Sequence, residues 1–380
     1  MSVGILTSGG DAPGMNAAVR AAFRAVKMRQ PERELVFFRD GFRGLAGRLD
    51  TSSDRNVDRS AVRDIIHRGG TFIGTGRVNE LIAPPIEHPH YAERMDAREA
   101  FLKVAVVNLY QLGVSDLIVV GGDGSFRGGR LIADTFRQTF PNRPFRVVGI
   151  PATIDNDIWG TDYSIGYDTA LNNVVDAMRK IRDTVESHKR AIILEVMGNT
   201  AGWLALQSAI AGGAAIVSIP EIEETWDQDR IVRRLIAGVR RDYRYFIIIV
   251  AEGVMKKAGK DWVQSLQRKI EECADIQAYL DAPMEVRANS VGHIARGGSP
   301  TAFDNTLAGL LGAAAADVVQ LGEIEGVKVP DGDVMVGTAG DAIRVSLLDD
   351  AIANSPRLVT RDSALYKLAL RLMIRSEQPF

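Results

Sequence analysis

Seven short β-rich runs, most of them continuously apolar, punctuate the chain: Val3 to Thr7, Leu35 to Phe38, Leu117 to Val120, Phe145 to Ile150, Ala191 to Val196, Ala215 to Ile219 and Phe246 to Val250. An alternating pattern would mark strands with one wet face. Continuous apolar character instead marks strands covered on both faces, as in a mostly parallel sheet. Amphipathic stretches lie between the runs. Val19, Ala22, Phe23 and Val26 share one helical face, and so do Leu171, Val174, Val175, Met178 and Ile181. The alternation predicts an α/β fold of doubly wound, mostly parallel sheets, whose ligands bind beyond the carboxyl ends of the strands.

At 380 residues the chain exceeds one ordinary domain, so two are expected. Composition marks no boundary: there is no low-complexity tract, internal repeat or Gly/Ser linker. The formal net charge of -2 excludes a broadly basic nucleic-acid surface, so any phosphate binding has to be local. Cys273 is the single cysteine, which excludes an internal disulfide framework and a four-cysteine zinc site and fits a reducing compartment. No apolar stretch reaches the roughly 20 residues of a membrane span, and Val3 to Thr7 has no basic leader, so a cytoplasmic protein without membrane contact is expected. Between Leu81 and Glu99 runs a polar, proline-bearing stretch with His88 and His90; a solvated loop is expected there rather than a metal pair.

Four loops carry chemistry. Thr7 to Asn16 (Thr-Ser-Gly-Gly-Asp-Ala-Pro-Gly-Met-Asn) runs from a strand into a helix, where glycines admit close backbone approach and free helix-start amides attract an anion. It has neither the Gly-Lys-Ser/Thr of a P-loop nor the dinucleotide glycine spacing, and read alone it is either a phosphate cradle or an ordinary glycine turn. Gly121-Gly122-Asp123-Gly124-Ser125 follows a strand and presents a carboxylate suited to Mg2+ beside a polyphosphate, or else a structural helix cap. In Pro151 to Asp157, Thr153, Asp155 and Asp157 fall on one side if the loop is extended, each about 6 to 7 Å from the next. One carboxylate can then take a proton from a sugar hydroxyl while the second orients it; the alternative is an Asx-rich turn. Arg287 and Val291 to Pro300, containing His293 and Arg296, form a plausible phosphomonoester cradle, and Arg77, closing Gly69 to Arg77, is a candidate for donor phosphates.

Taken in order, Thr7 to Asn16, Gly69 to Arg77, Gly121 to Ser125, Thr153 to Asp157, Ser187 to Arg190, Met197-Gly198 and Gly292 to Pro300 resemble the phosphofructokinase family from Val3 to about Val319. The resemblance implies two Rossmann-like domains with the active site in the cleft between them: 1–166 plus 295–350, larger and donor-binding, and 167–294 plus 351–380, smaller and sugar-phosphate-binding. It implies transfer of the ATP γ-phosphoryl group to the 1-hydroxyl of fructose 6-phosphate, with Mg2+ at Asp123. Gly10, Arg77, Gly122, Asp123, Gly124 and Ser125 would contact the donor. Asp155 would be the general base, supported by Thr153 and Asp157, with Arg77 offsetting charge. Met197, Gly198, Asn199, Glu252, His293 and Arg296 would hold the sugar phosphate. Arg190 and Arg287 would reach the 6-phosphate of a neighbouring subunit, which requires a homo-oligomer, a homotetramer or dimer.

Pyrophosphate-using relatives typically carry aspartate where this chain has Gly124 and lysine where it has Ala152, so both positions favour ATP over pyrophosphate. A non-catalytic sugar-phosphate or nucleotide sensor is the remaining alternative, against which Asp123, Asp155 and Asp157 together argue. The chain departs from the bacterial pattern at Asn199, where an arginine is usual, and at Ala215, where the effector site of bacterial members usually has a magnesium-binding glutamate.

Overall fold

The computed structural model describes residues 1–55, 57–82, 84, 86–280 and 283–375. Among them are thirteen strands: β1 (Ser2–Thr7), β2 (Leu35–Phe38), β3 (Ser53–Asp54), β4 (Val114–Gly121), β5 (Arg146–Pro151), β6 (Ala191–Val196), β7 (Ile216–Ser218), β8 (Phe246–Ala251), β9 (Val286–Ser290), β10 (Glu323–Ile324), β11 (Val327–Lys328), β12 (Val334–Ala339) and β13 (Ala342–Leu347). The chain divides into two compact units, the first comprising 1–154, 158–168 and 296–355, the second 155–157, 169–295 and 356–380.

Unit 1 is built on a seven-stranded sheet in the order β13-β12-β5-β4-β1-β2-β3. β2, β1, β4, β5 and β12 run parallel, and only the outermost strands, β3 and β13, are antiparallel. Every residue of β1 and β4 is buried, as strands covered on both faces require. The helix Met15–Arg29 buries Val19, Ala22, Phe23 and Val26 completely. Helix Ala302–Leu321 lies against it so closely that a Cβ on Gly312 would stand 2.5 Å from the Ala18 carbonyl oxygen. β12 and β13 form a hairpin across Gly340–Asp341. β12 carries the short buried run Val334-Met335-Val336, whereas β13, at the sheet edge, is half exposed.

Unit 2 carries an all-parallel sheet in the order β7-β8-β6-β9. Its core gathers Ile193, Ile248, Val250, Leu235, Leu266 and Ile270 around Trp262. The C-terminal chain returns to this unit and meets the β7 edge, where Ile374 N–H donates to the Ala215 carbonyl at 3.2 Å.

The stretch from Leu81 to Glu99 differs from the loop expected. Helix Tyr91–Gln111 already begins inside it. The first turns of that helix are polar and exposed, so no apolar face betrays them, and its buried residues start only at Leu102. The His88 and His90 rings lie 6.1 Å apart, and no group of metal-ligating side chains forms among the described residues. Ala83 and Pro85 of this stretch lie outside the described residues. No helix is long and apolar enough to cross a membrane among the described residues.

Candidate active site

In unit 1 the loops leaving β1, β4 and β5 emerge from one end of the sheet. Ser8 N–H donates to the Val120 carbonyl at 3.0 Å, and Ala152 N–H to the Gly121 carbonyl at 2.9 Å, so the three loops start side by side. Gly9 (φ 87°) and Gly14 (φ 106°) are left-handed, a backbone that only glycine adopts without cost, and Gly14 caps helix Met15–Arg29. Asn16 ties this loop to the Gly69–Arg77 segment: its Nδ2 donates to the Arg68 carbonyl at 3.1 Å, and its Oδ1 accepts from Phe72 N–H at 2.8 Å. Thr7 Oγ1 donates to the Gly74 carbonyl at 2.7 Å. The third loop to join is the one bearing Arg296, whose Nη1 donates to the Asp11 carbonyl at 3.1 Å; a Cβ on Gly10 would stand 2.6 Å from that nitrogen.

The Gly122–Ser125 turn lies against the first loop. A Cβ on Gly121 would meet Ser8 O at 2.6 Å and Ser125 Oγ at 2.5 Å, whereas one on Gly124 would meet nothing within 4 Å. Asp123 opens helix Asp123–Thr139, and its carboxylate accepts from Arg127 Nε at 3.1 Å. Thr153 stands beside this turn, its Cβ 3.8 Å from where a Gly122 Cβ would be. Arg77 is exposed, with its carbonyl accepting from Arg43 Nη2 at 3.4 Å.

Thr153 belongs to unit 1, and Asp155–Asp157 to unit 2. Only two residues of chain, at most about 7 Å, separate Thr153 from Asp155. Thr153, Asp155 and Asp157 are part-exposed while Ala152, Ile154, Asn156 and Ile158 are buried, an alternation that puts the three polar side chains on the wetter side. Asn156 departs from an extended chain with φ 49°. Asparagine tolerates that conformation better than most residues.

Unit 2 separates its candidate residues into two groups. At the carboxyl ends of its strands, Glu252 N–H donates to the Val196 carbonyl at 2.9 Å and Gly253 N–H to the Gly198 carbonyl at 3.0 Å, which joins Met197-Gly198 to Glu252. Gly198 has φ 135°, and Lys256 Nζ donates to Asn199 Oδ1. His293 is exposed on the short turn Gly292–Arg296 that follows β9. Burial pushes the Glu195 carboxyl up, and neighbouring Glu252 adds to the shift. Arg190 and Arg287 lie at the opposite, amino ends of β6 and β9, where both guanidiniums pair with Glu285. A six-residue strand spans roughly 17 to 20 Å, so the two groups stand at opposite ends of the unit 2 sheet. A cavity of about 650 Å³ also opens at the amino ends, lined by Arg182, Lys189, Ala215, Arg241 and Tyr243 among others.

The sequence reading did not single out Glu285, Arg127 or Arg357. Glu285 precedes Arg287 by two residues on an extended chain, and Arg127 follows Asp123 by four on a helix, spacings that place each pair on one face. Arg357 gave no local signal.

The phosphofructokinase family model matches residues 2–319. The chain belongs to the phosphofructokinase family. Its relatives include proteins named ATP-dependent 6-phosphofructokinase from Bacillus pumilus, 42% identical over 84% of this chain and 86% of that one, and from Bacillus licheniformis, 39% identical over 98% of this chain and 99% of that one. Among solved structures, phosphofructokinase from Saccharomyces cerevisiae matches with a TM-score of 0.74 and 30% identity over 93% of this chain, which spans 45% of the yeast chain. The pyrophosphate-dependent phosphofructokinase from Marinobacter aquaeolei shares the fold, with a TM-score of 0.75 over 100% of this chain and 94% of that one, at 18% identity.

Proposed function

We propose that this protein is an ATP-dependent 6-phosphofructokinase of glycolysis, a phosphotransferase that moves the ATP γ-phosphoryl group to the 1-hydroxyl of fructose 6-phosphate and yields fructose 1,6-bisphosphate. The observation that carries this reading is a likeness over most of the chain to relatives bearing that name, 40% identical over 88% of the chain in the case of Bacillus subtilis. The open space at Gly124 supports a nucleotide as donor, since an acidic side chain at that point would repel its phosphates.

The donor polyphosphate is held by the glycine-loop amides at Gly10 and Gly122–Ser125 and by Arg77, which offsets charge developing on the transferred group. Asp155 accepts the proton of the 1-hydroxyl as its oxygen attacks phosphorus, with Thr153 and Asp157 keeping it oriented. Met197, Gly198, Asn199, Glu252, His293 and Arg296 hold the sugar phosphate. Asp123 is part-exposed beside open space, pairs with Arg127 and joins no cluster of metal-ligating side chains among the described residues, which suits Mg2+ shared with phosphates and water rather than an all-protein cage. Held there, the ion would supply positive charge to offset that of the donor phosphates.

Because Arg190 and Arg287 sit at the far end of the unit 2 sheet from Glu252, their service to a neighbouring subunit's 6-phosphate is the arrangement this geometry favours, in a cytoplasmic homotetramer or dimer. Aldolase-coupled assays with ATP and with pyrophosphate test the donor. Asp155→Ser is expected to cut turnover by about 10² to 10⁴ while leaving sugar-phosphate binding largely intact. Near-normal turnover in that variant removes Asp155 from the role of base.

A further inference from the structure

The turn bearing Asp155 and Asp157 does not hold its shape by local sequence alone. Asn156 between them is 5% exposed with φ 49°, a left-handed conformation that costs a non-glycine residue energy and persists where neighbours over-determine it. Those neighbours arrive from about two hundred residues along the chain. Arg357 N–H donates to the Asp157 carbonyl at 2.6 Å, and Arg357 Nη2 donates to the Asn156 carbonyl at 3.2 Å. One residue therefore grips two consecutive carbonyls of the turn.

Arg357 is itself held. Its guanidinium lies 5.1 Å from the Trp203 ring centroid, and Trp203 Nε1–H donates to the Arg357 carbonyl at 2.8 Å. Two residues on, Val359 N–H donates to Glu221 Oε1 at 3.0 Å, and the same oxygen accepts from Gly202 N–H at 2.8 Å. Gly202 and Trp203 end the loop that begins at Met197-Gly198. All of these residues belong to unit 2.

We infer that Arg357 is a positioning residue for the reaction: clamped by Trp203, it fixes the Asn156 and Asp157 carbonyls and so holds the Asp155 carboxylate in register with the Met197–Gly202 loop. The inference rests on Asp155 being the base. Removing the side-chain grip leaves the ground-state contacts to sugar phosphate in place and lets the base wander. A displacement of about 1 Å at a reacting group costs up to about a hundredfold in rate.

The test compares wild type, Asp155→Ser, Arg357→Met, Arg357→Lys and Trp203→Phe in steady-state assays with ATP and fructose 6-phosphate, alongside thermal midpoints. Arg357→Met keeps an apolar stem over Trp203 and the backbone donor to Asp157, and loses the donation to the Asn156 carbonyl together with the guanidinium over the Trp203 ring. Its kcat is expected to fall 10- to 100-fold with both KM values within threefold of wild type. Arg357→Lys should recover part of the loss, and Trp203→Phe, which keeps the ring but loses the indole N–H, should show a smaller fall of the same kind. Full kcat in Arg357→Met, or a loss expressed only in KM, overturns the inference while Asp155→Ser remains inactive. Should Asp155→Ser keep its turnover, the base assignment fails first and takes the positioning role with it. If Arg357→Met does not fold, Arg357→Lys and Trp203→Phe decide: unchanged kcat in both refutes the clamp.

Discussion

Replacing Gly14 with alanine perturbs the first glycine loop at its most constrained point. The backbone there has φ 106°, and a Cβ would stand 2.6 Å from Ile165 Cγ2, a side chain with no exposed surface and little room to retreat. Left-handed backbone costs an L-residue about 1 to 2 kcal/mol. Overpacking a filled core adds about 1 to 3 kcal/mol. Alanine also stiffens the unfolded chain, which returns about 0.4 to 1 kcal/mol. The net loss of about 1 to 5 kcal/mol, at roughly 2 to 4 °C per kcal/mol for a unit of this size, lowers the melting midpoint by about 2 °C or more. Scanning calorimetry reads it directly. Gly309→Ala is the paired control: it lies inside helix Ala302–Leu321 with nothing within 4 Å of the new methyl, so the midpoint there should rise, in keeping with a helix-propensity gain of about 0.8 to 1 kcal/mol. A Gly14→Ala midpoint within one degree of wild type, with Gly309→Ala behaving as stated, would refute the strain argument.

Two more expectations follow from charge. Glu285→Gln removes the carboxylate shared by Arg190 and Arg287; in the proposed role of these arginines, a carboxylate about 6 Å from a bound phosphate dianion would cost roughly 1.4 kcal/mol even at water's dielectric, so the KM for fructose 6-phosphate should fall by up to about tenfold, and a rise would mean that Glu285 organises the arginines rather than competing for them. Burial raises the Glu221 carboxyl above its ordinary 4.5, so its contribution to stability is present below that value and is lost as pH rises through the raised one. Glu221→Gln should therefore gain stability relative to wild type near pH 8 and not near pH 4, read as urea midpoints at the two pH values; an equal change at both would show that ionisation is not the cause.

The apolar runs at Val3, Leu117, Ala191 and Phe246 were legible as buried parallel strands because coverage on both faces is written into consecutive residues. The glycine loops were legible too, since positive φ at Gly9 and Gly14 and a part-exposed carboxylate at Asp123 depend on residue type at the spot. Polar or mixed segments were not. The start of helix Tyr91–Gln111 lacks an apolar face that would announce it, and the short strand β12 takes its place by pairing with β5, far earlier in the chain. What the sequence by itself determined was the set of chemical groups and the strands that carry them, because backbone preference and burial pattern act over a few residues. Tertiary structure alone decided which distant groups meet: Arg296 with Asp11, Arg190 with Glu285, and Arg357 with the Asp155–Asp157 turn. Those contacts join positions tens to hundreds of residues apart, and only the closing of the chain into its sheets brings their atoms within a hydrogen bond's reach.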